Sequence, residues 1–169
     1  IQDFDPEVQQ AIGRLQPFDV TRACVDDLRA AGISSLNTDL VYGLPHQTLA
    51  RIEDTIEKVL TFAPDRVALF GYAHVPWVSK RQKLIDEDAL PGDLSRYNLA
   101  RRAGERFVGA GLTAIGIDHF ARPGDDLSNA LEAGRLRRNF QGYTADSCQT
   151  LIGLGASSIS RLPGGYVQN

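Results

Sequence analysis

Short apolar segments alternate with amphipathic helical segments in the first part of the chain, and this alternation constrains the fold most. Residues 36–42 and 67–73 are typical of strands, and the second is apolar throughout, as expected of a strand covered on both faces. Between them, residues 48–60 carry apolar side chains at helical spacing behind a capping threonine. Strands joined by helices of this length indicate parallel βαβ units. The sequence therefore predicts an α/β fold with parallel strands.

Three further helices are predicted from capping residues and helical spacing. Asp5 and Pro6 are typical of a helix N-cap followed by proline at the first helical position. Asp19 is expected to cap a second helix, with Cys24 on its apolar side. A longer helix over residues 93–110 is expected to direct five side chains inward, namely Leu94, Tyr97, Ala100, Ala103 and Phe107.

The regular alternation ends near residue 75. Beyond it, the patterns predict only a short strand at 113–117, a brief helix at 126–133 and an apolar run at 151–156. Two or three βαβ units are too few to close an eight-stranded barrel. We therefore expect the later part of an open, partial barrel in residues 1–75, and an associated helix, strand and C-terminal loops in residues 76–169.

Composition and charge exclude several classes of protein. The net charge of −3 over 169 residues argues against a nucleic-acid partner, and no apolar run approaches the roughly 18 residues of a membrane span. The two cysteines, Cys24 and Cys148, lie in unlike surroundings and form no metal motif, which favours a reducing, cytoplasmic setting. The chain contains no methionine, so we expect it to be part of a longer protein. A barrel cut in this way is expected to self-associate through its exposed strand edges.

Polar residues follow the predicted strands at the edge where ligands bind in parallel α/β folds. They are Gln2–Phe4, Asp39 within its strand, and Tyr72–His74. A carboxylate inside an apolar strand is costly unless it finds hydrogen-bond donors. Asp39 is thus expected to accept ribose hydroxyls, to bind an ammonium group, or to bond with neighbouring loops.

Two segments without helical or strand periodicity combine polar, aromatic and glycine residues. They are Gly-Ile-Asp-His-Phe-Ala-Arg-Pro at 116–123 and Arg-Asn-Phe-Gln-Gly-Tyr-Thr at 138–144. Loops of this composition commonly carry binding sites. A neighbouring run of arginines is either a solvated face or a site for carboxylates, which guanidinium groups bind with paired hydrogen bonds. These arginines are Arg135, Arg137 and Arg138.

Together with Asp-Leu-Val-Tyr-Gly-Leu-Pro at 39–45, these segments resemble the oxygen-independent coproporphyrinogen III oxidases, which are radical S-adenosylmethionine enzymes of haem biosynthesis. The resemblance implies the later part of a partial (β/α)6 radical S-adenosylmethionine barrel. It also implies oxidative decarboxylation of two propionates of coproporphyrinogen III to give protoporphyrinogen IX. In that family a reduced [4Fe–4S] cluster, served by an electron donor, reduces S-adenosylmethionine, and the resulting radical removes hydrogen from the propionate.

The resemblance also implies roles for individual residues. Contacts with the cleaved S-adenosylmethionine are implied for Gln2, Arg14 and Asp39. Contacts with a second S-adenosylmethionine are implied for Ala73, Gln141 and Ile159. His119 and Arg122 are expected on the substrate side. The family's C-x3-C-x2-C cluster motif does not occur in these 169 residues, so cluster and activity are expected of a longer parent protein and not of this piece alone.

Two alternatives remain open at this stage. A haem-binding relative would share the barrel without oxidase activity, although the segments at 116–123 and 138–144 favour the oxidase branch. An unrelated α/β domain that binds a nucleotide or phosphate would need a glycine-rich phosphate loop after a strand. Neither G-x-G-x-x-G nor a P-loop occurs in the sequence.

Overall fold

The computed structural model of the chain describes residues 1–140 and 142–169. The α-helices in these ranges are α1 (Pro6–Ala11), α2 (Phe18–Ala30), α3 (Leu49–Leu60), α4 (Asp93–Gly109) and α5 (Asp126–Glu132). The strands are β1 (Asn37–Tyr42), β2 (Arg66–Gly71), β3 (Thr113–Ile115), β4 (His119–Ala121), β5 (Arg137–Asn139), β6 (Gly142–Thr144), β7 (Ile159–Leu162) and β8 (Gly165–Gln168). Two short 3-10 helices cover Lys80–Leu84 and Glu87–Ala89.

The main sheet has the strand order β1-β2-β4-β3 and mixes both strand directions. β1 and β2 are parallel, with Asn37 opposite Arg66 and Tyr42 opposite Gly71, so the βαβ unit around α3 is confirmed. β4 runs antiparallel to both β2 and β3. The predicted parallel strands are therefore present as β1 and β2, and the antiparallel pairings of β3 and β4 were not predicted. Residues 116–118 join β3 to β4, and a connection this short can only return the chain antiparallel.

The core lies between the sheet and the helices α3 and α4. The first residues run beside β1, where the Val41 N–H donates to the carbonyl oxygen of Gln2 at 3.0 Å. Phe4 is buried and makes edge contacts with Phe18 and Phe62, whose centroids lie 5.3 and 5.9 Å from its own. Most of the remaining members of this cluster come from β1, β2, α3 and α4, and they include Leu40, Ile52, Ile56, Val59, Val67, Leu99, Ala103 and Phe107. One continuous core therefore supports both parallel strands.

Local chemistry explains how the helices begin. The Asp5 side chain accepts hydrogen bonds from two backbone N–H groups at the start of α1, with Pro6 in the first turn, as predicted. Thr48 caps α3 through the Arg51 N–H, also as predicted. α2 instead begins at Phe18 with Pro17 as its N-cap residue, so Asp19 lies in its first turn and does not cap it.

The predicted apolar face of α2 was wrong, and that of α4 was right only at Ala103 and Phe107. On α2, Thr21 and Val25 are buried, whereas Cys24 is exposed. Cys24, with Val20 and Leu28 on the same side of α2, instead lines an open cavity of about 370 Å³ against β1. On α4, Leu94 and Tyr97 are exposed, and the buried side chains are Leu99, Ala103 and Phe107. The N-terminal turn of α4 faces the loop after β2, where Arg96 donates to the Tyr72 carbonyl at 2.6 Å.

The C-terminal part consists of two small antiparallel hairpins, β5–β6 and β7–β8. The apolar run at 151–156 does not form a strand. It contributes one isolated bridge, between Leu151 and Arg161. Its Ile152 and Leu154 side chains are exposed. The division of the chain at residue 75 stays a prediction, and β4 from the later segment pairs with β2 from the earlier one.

Candidate cofactor and substrate site

A buried carboxylate fixes the first residues at the end of the parallel strands. Asp3 is 1% exposed and accepts hydrogen bonds from the Asp5 N–H at 2.7 Å, the Thr55 hydroxyl at 2.8 Å and the Gln47 amide at 2.6 Å. Burial raises the pKa of Asp3, and these three donors act against that rise. The network holds the backbone next to Gln2 in a single position.

Gln47 connects this segment to the turn that follows β1. Its Oε1 accepts from the Gly43 N–H at 2.6 Å and from the Leu44 N–H at 3.3 Å, while its Nε2 also donates to the Val41 carbonyl at 3.0 Å. Gly43 has φ of +82°, a conformation that glycine adopts without strain. The sequence analysis missed Gln47 and Thr55. The available signal was a polar residue, Thr55, beside the apolar Ile56 of the predicted third helix, and a glutamine just before the cap of that helix. A polar side chain in such a position must meet a partner if it is buried.

Gln2 and Arg14 line one cavity of about 260 Å³ beyond the carboxyl ends of β1 and β2. The other residues around it are mainly apolar or aromatic, and they are Ile12, Val41, Leu44, Tyr72, Arg81, Gln82 and Ile85. Within the described residues, the buried Oε1 of Gln2 has no hydrogen-bond partner. A buried acceptor in this state favours a ligand that offers a hydroxyl or an ammonium donor.

Asp39 lies two residues before Val41 on β1 but lines the adjacent cavity, together with Ile1. Its side chain is exposed, so the desolvation cost expected for a carboxylate within a strand does not arise. Its Oδ1 accepts from the side-chain amide of Asn37 at 2.8 Å. The structure therefore brings Gln2 and Arg14 into one cavity and leaves Asp39 at the next one along the strand.

The loop after β2 is fastened by side chains from its own 3-10 helices. The Ala73 carbonyl accepts from the Gln82 amide at 3.0 Å. The Tyr72 hydroxyl lies 2.9 Å from His74 Nδ1, and His74 Nε2 lies 3.0 Å from Glu87 Oε1. Burial raises the pKa of Tyr72. These contacts fix the exposed backbone at Ala73 beside the cavity that Tyr72 lines.

The two segments without periodicity contact each other through aromatic rings. The His119 ring makes edge contacts with Phe70 and Tyr143, with centroids 5.8 and 5.4 Å apart, and its Nδ1 lies 2.6 Å from an Asp118 carboxylate oxygen. The Tyr143 hydroxyl accepts from the Ile117 N–H at 3.2 Å. Ile117 and His119 of the first segment and Tyr143 of the second thus form a single surface.

Arg122 lies apart from His119. It follows β4 at the amino end of β2, where its Nε donates to the Pro64 carbonyl at 2.9 Å and its backbone N–H donates to the Asp65 carbonyl at 2.9 Å. His119 pairs with Ala68, further towards the carboxyl end of β2. The structure does not bring these two proposed substrate residues together.

The remaining predicted contacts lie in the C-terminal hairpins. Ile159 is partly buried on β7, opposite Gln168 on β8. Gln141 lies outside the described residues. Among the residues that the structure describes, no group of three histidine, cysteine or acidic side chains is arranged for a metal ion. In the same part of the chain, no helix has both the length and the hydropathy needed to cross a bilayer.

Comparison with known proteins tests the resemblance that the motifs indicated. No family model matches the sequence. The oxygen-independent coproporphyrinogen III oxidases of Cereibacter sphaeroides and Paracoccus denitrificans are 62% and 59% identical over all 169 residues. The solved coproporphyrinogen III oxidase of Escherichia coli, described as a radical SAM enzyme, matches the whole chain with a TM-score of 0.95 and 38% identity. Over its whole length, the chain is similar to the oxygen-independent coproporphyrinogen III oxidases.

This similarity confirms the resemblance drawn from the motifs, and the mixed α/β fold matches that of the solved oxidase. The chain spans 37% and 38% of the two bacterial oxidases and 39% of the solved chain. The matched region is therefore a little over a third of a typical oxidase of this family.

Proposed function

We propose that the full-length protein is a cytoplasmic enzyme that oxidatively decarboxylates coproporphyrinogen III to protoporphyrinogen IX without oxygen. The observation that carries this proposal is the match along the entire chain to the Escherichia coli radical SAM enzyme, together with about 60% identity to two curated oxidases. The free thiols of Cys24 and Cys148 are consistent with a reducing compartment. In this proposal the chain forms the later part of a partial barrel and binds cofactor and substrate, while a [4Fe–4S] cluster is held elsewhere in the protein.

The cavity at Gln2 fits one end of S-adenosylmethionine. The unpartnered Oε1 of Gln2 can accept from the ammonium group of the cofactor, and the Arg14 guanidinium can bind its carboxylate. Asp39 is exposed on β1 and can accept hydrogen bonds from ribose hydroxyls. The Asp3–Gln47 network supports this function because it holds Gln2 in place before the cofactor arrives.

A second S-adenosylmethionine is proposed to contact the backbone at Ala73 and the C-terminal residues Gln141 and Ile159. The fixed loop after β2 supports this role for Ala73, because its carbonyl is already bonded to Gln82 and its backbone is exposed. The bound cofactors supply the radical chemistry on the propionate side chain. The residues of this chain orient the groups that react, and Phe70 and Tyr143 restrict water around His119.

Anaerobic assay of the cluster-loaded full-length protein tests this function. We expect conversion of coproporphyrinogen III to protoporphyrinogen IX. We also expect Gln2→Leu to weaken S-adenosylmethionine binding about tenfold, as for loss of a hydrogen bond to a charged group. Gln10→Leu, at an exposed position on α1, is the matched control and should bind normally. Haem binding without conversion would contradict the proposal in favour of a haem-binding relative.

A further inference from the structure

A small cavity in the C-terminal part is surrounded by three arginines. It has a volume of about 40 Å³ and lies between the β5–β6 hairpin and the segment that leads to β7. Arg137, Arg138 and Arg161 line it, and so do Phe140 and Asp146. A buried water needs roughly 10–15 Å³ by this measure, so the cavity admits a group of about three heavy atoms. That is the size of one carboxylate, and far smaller than a whole tetrapyrrole.

The three arginines are held in place by their surroundings. Arg138 lies opposite Tyr143 in the β5–β6 register, with its guanidinium carbon 5.3 Å from the centre of the Tyr143 ring. Arg137 donates to the Ser147 carbonyl at 3.3 Å. Arg161 exchanges two backbone hydrogen bonds with Leu151, both at 2.9 Å. The guanidinium groups of Arg137 and Arg138 are therefore positioned before a ligand binds, while Arg161 is held through its backbone, which reduces the entropy lost on binding.

Positive charge exceeds negative charge around this cavity. Among the described residues, Asp146 is the only acidic side chain that lines it. Its carboxylate accepts the Cys148 N–H at 2.8 Å, and hydrogen bonds from the backbone and side chain of Cys148 lower the pKa of Asp146, with Arg137 adding to the effect. Within the described part of the chain, none of the three arginines forms an ion pair within 4.0 Å. Two positive charges are therefore left without a counter-charge.

We propose that this cavity binds one carboxylate group of the substrate, through the guanidinium groups of Arg138 and Arg161 with support from Arg137. The identity of the ligand rests on the proposed function, since coproporphyrinogen III carries four propionate carboxylates. Tyr143 packs against both His119 and Arg138, so the cavity adjoins the surface formed by the two sequence segments. Arginine suits this role because its planar fork binds both oxygens of a carboxylate.

Fluorescence titration of the full-length protein with coproporphyrin III, the stable oxidised form of the substrate, tests the proposal. Arg138→Gln and Arg161→Gln should each weaken binding about tenfold, and the tetramethyl ester, which lacks the charges, should bind all variants alike. Arg135→Gln is the matched control, because Arg135 is an exposed neighbour that does not line the cavity. S-adenosylmethionine binding, measured by calorimetry, should be unchanged in every variant and so verifies their folding.

Equal binding of coproporphyrin III by the Arg138, Arg161 and Arg135 variants would overturn the carboxylate site while leaving the oxidase function intact. Charge-dependent binding that is lost in Arg138→Gln and Arg161→Gln would support the site even if the wild-type protein formed no protoporphyrinogen IX. In that case only the proposed reaction would fail.

Discussion

The main sheet with its helices and the C-terminal hairpins are built in different ways. In the sheet region, apolar side chains from β1, β2, α3 and α4 form one cluster, and several of them are completely inaccessible to solvent. Among the described residues after Ala130, none is buried. The hairpins of residues 137–168 depend instead on backbone pairing and on a few contacts, such as that of Tyr143 with His119. Burial therefore defines the scaffold, whereas the proposed carboxylate site lies on a region with little stability of its own.

The difference matches the division of labour proposed for the two sites. A rigid network at Asp3 holds Gln2 at the edge of the sheet. The arginines of the proposed carboxylate site stand on short strands outside the buried core. Ligand-binding segments are commonly drawn from the less stable parts of a fold.

The largest expected effect tests the burial of the sheet region. Phe107 is 0% exposed and packs against Phe120 at a centroid distance of 5.1 Å. We expect Phe107→Ala to lower the free energy of unfolding by about 3–5 kcal/mol, because it removes a large apolar side chain and leaves a cavity. Tyr166→Ala, at an exposed ring in the β7–β8 hairpin, should lower the free energy of unfolding by less than about 1 kcal/mol. Urea titration of both variants measures the two costs. Similar costs at both positions would contradict the contrast between the regions.

A medium effect is expected where the two regions meet. Gly116 has φ of +62°, and a Cβ there would lie 2.1 Å from the Tyr143 ring. Gly134 has φ of +64° with no heavy atom near such a Cβ, so it is the matched control for backbone strain alone. In each alanine variant the left-handed backbone conformation should lower the free energy of unfolding by about 1–2 kcal/mol. In Gly116→Ala, overpacking against the Tyr143 ring should lower it by roughly 1–3 kcal/mol more.

The thermal unfolding curves of the two glycine variants measure this difference. A double variant, Gly116→Ala with Tyr143→Ala, should show coupling, because removing the ring removes the clash. Equal destabilisation by Gly116→Ala and Gly134→Ala would mean that Tyr143 does not pack against the β3–β4 turn.

The smallest expected effect is a difference in pH dependence between two carboxylates of the sheet region. Burial raises the pKa of Asp3. The contribution of Asp3 to the free energy of unfolding is therefore fully present below the ordinary aspartate pKa and is lost as pH rises through the raised pKa. At Asp65, burial acts to raise the pKa, but the Leu36 N–H and the Arg29 guanidinium outweigh it and lower the pKa. The contribution of Asp65 to the free energy of unfolding is therefore present above the ordinary aspartate pKa and is lost as pH falls through the lowered pKa.

Urea titrations of Asp3→Asn and Asp65→Asn from pH 7 down to about 3 separate the two cases. As pH falls, wild-type stability should rise relative to Asp3→Asn and fall relative to Asp65→Asn. A carboxyl group whose pKa differs by one between the folded and the unfolded chain changes the free energy of unfolding by about 1.4 kcal/mol across that range. Trends of the same sign in both comparisons would show that Asp3 is not held in a desolvating environment.

Sequence patterns could predict those parts of the fold that local chemistry decides. The caps at Asp5 and Thr48 follow from side chains that bond to nearby backbone, and β1 and β2 follow from their apolar pattern. The pairing of β4 with β2 could not be predicted, because it joins residues about 50 positions apart in the sequence. Pairing of Asp3 with Gln47, 44 residues away, likewise depends on tertiary contacts.

The candidate site divides in the same way. The motifs identified the segments at 116–123 and 138–144, and the structure brings them together through His119 and Tyr143. Neither motif indicated that Arg122 would lie at the opposite end of β2, since strand direction decides that position. The cavity at Arg161 depends on a hairpin whose sequence shows little hydrophobic periodicity.

Amide hydrogen exchange of the full-length protein, with and without coproporphyrin III, tests most directly whether a buried scaffold presents a separate recognition region. Without ligand, we expect slow exchange in β1, β2 and α4 and fast exchange in residues 137–162. With coproporphyrin III, exchange in residues 137–162 should slow at least tenfold, while that of α3 and α4 stays the same. Equal exchange in both regions before ligand addition, or no ligand protection in residues 137–162, would contradict the account.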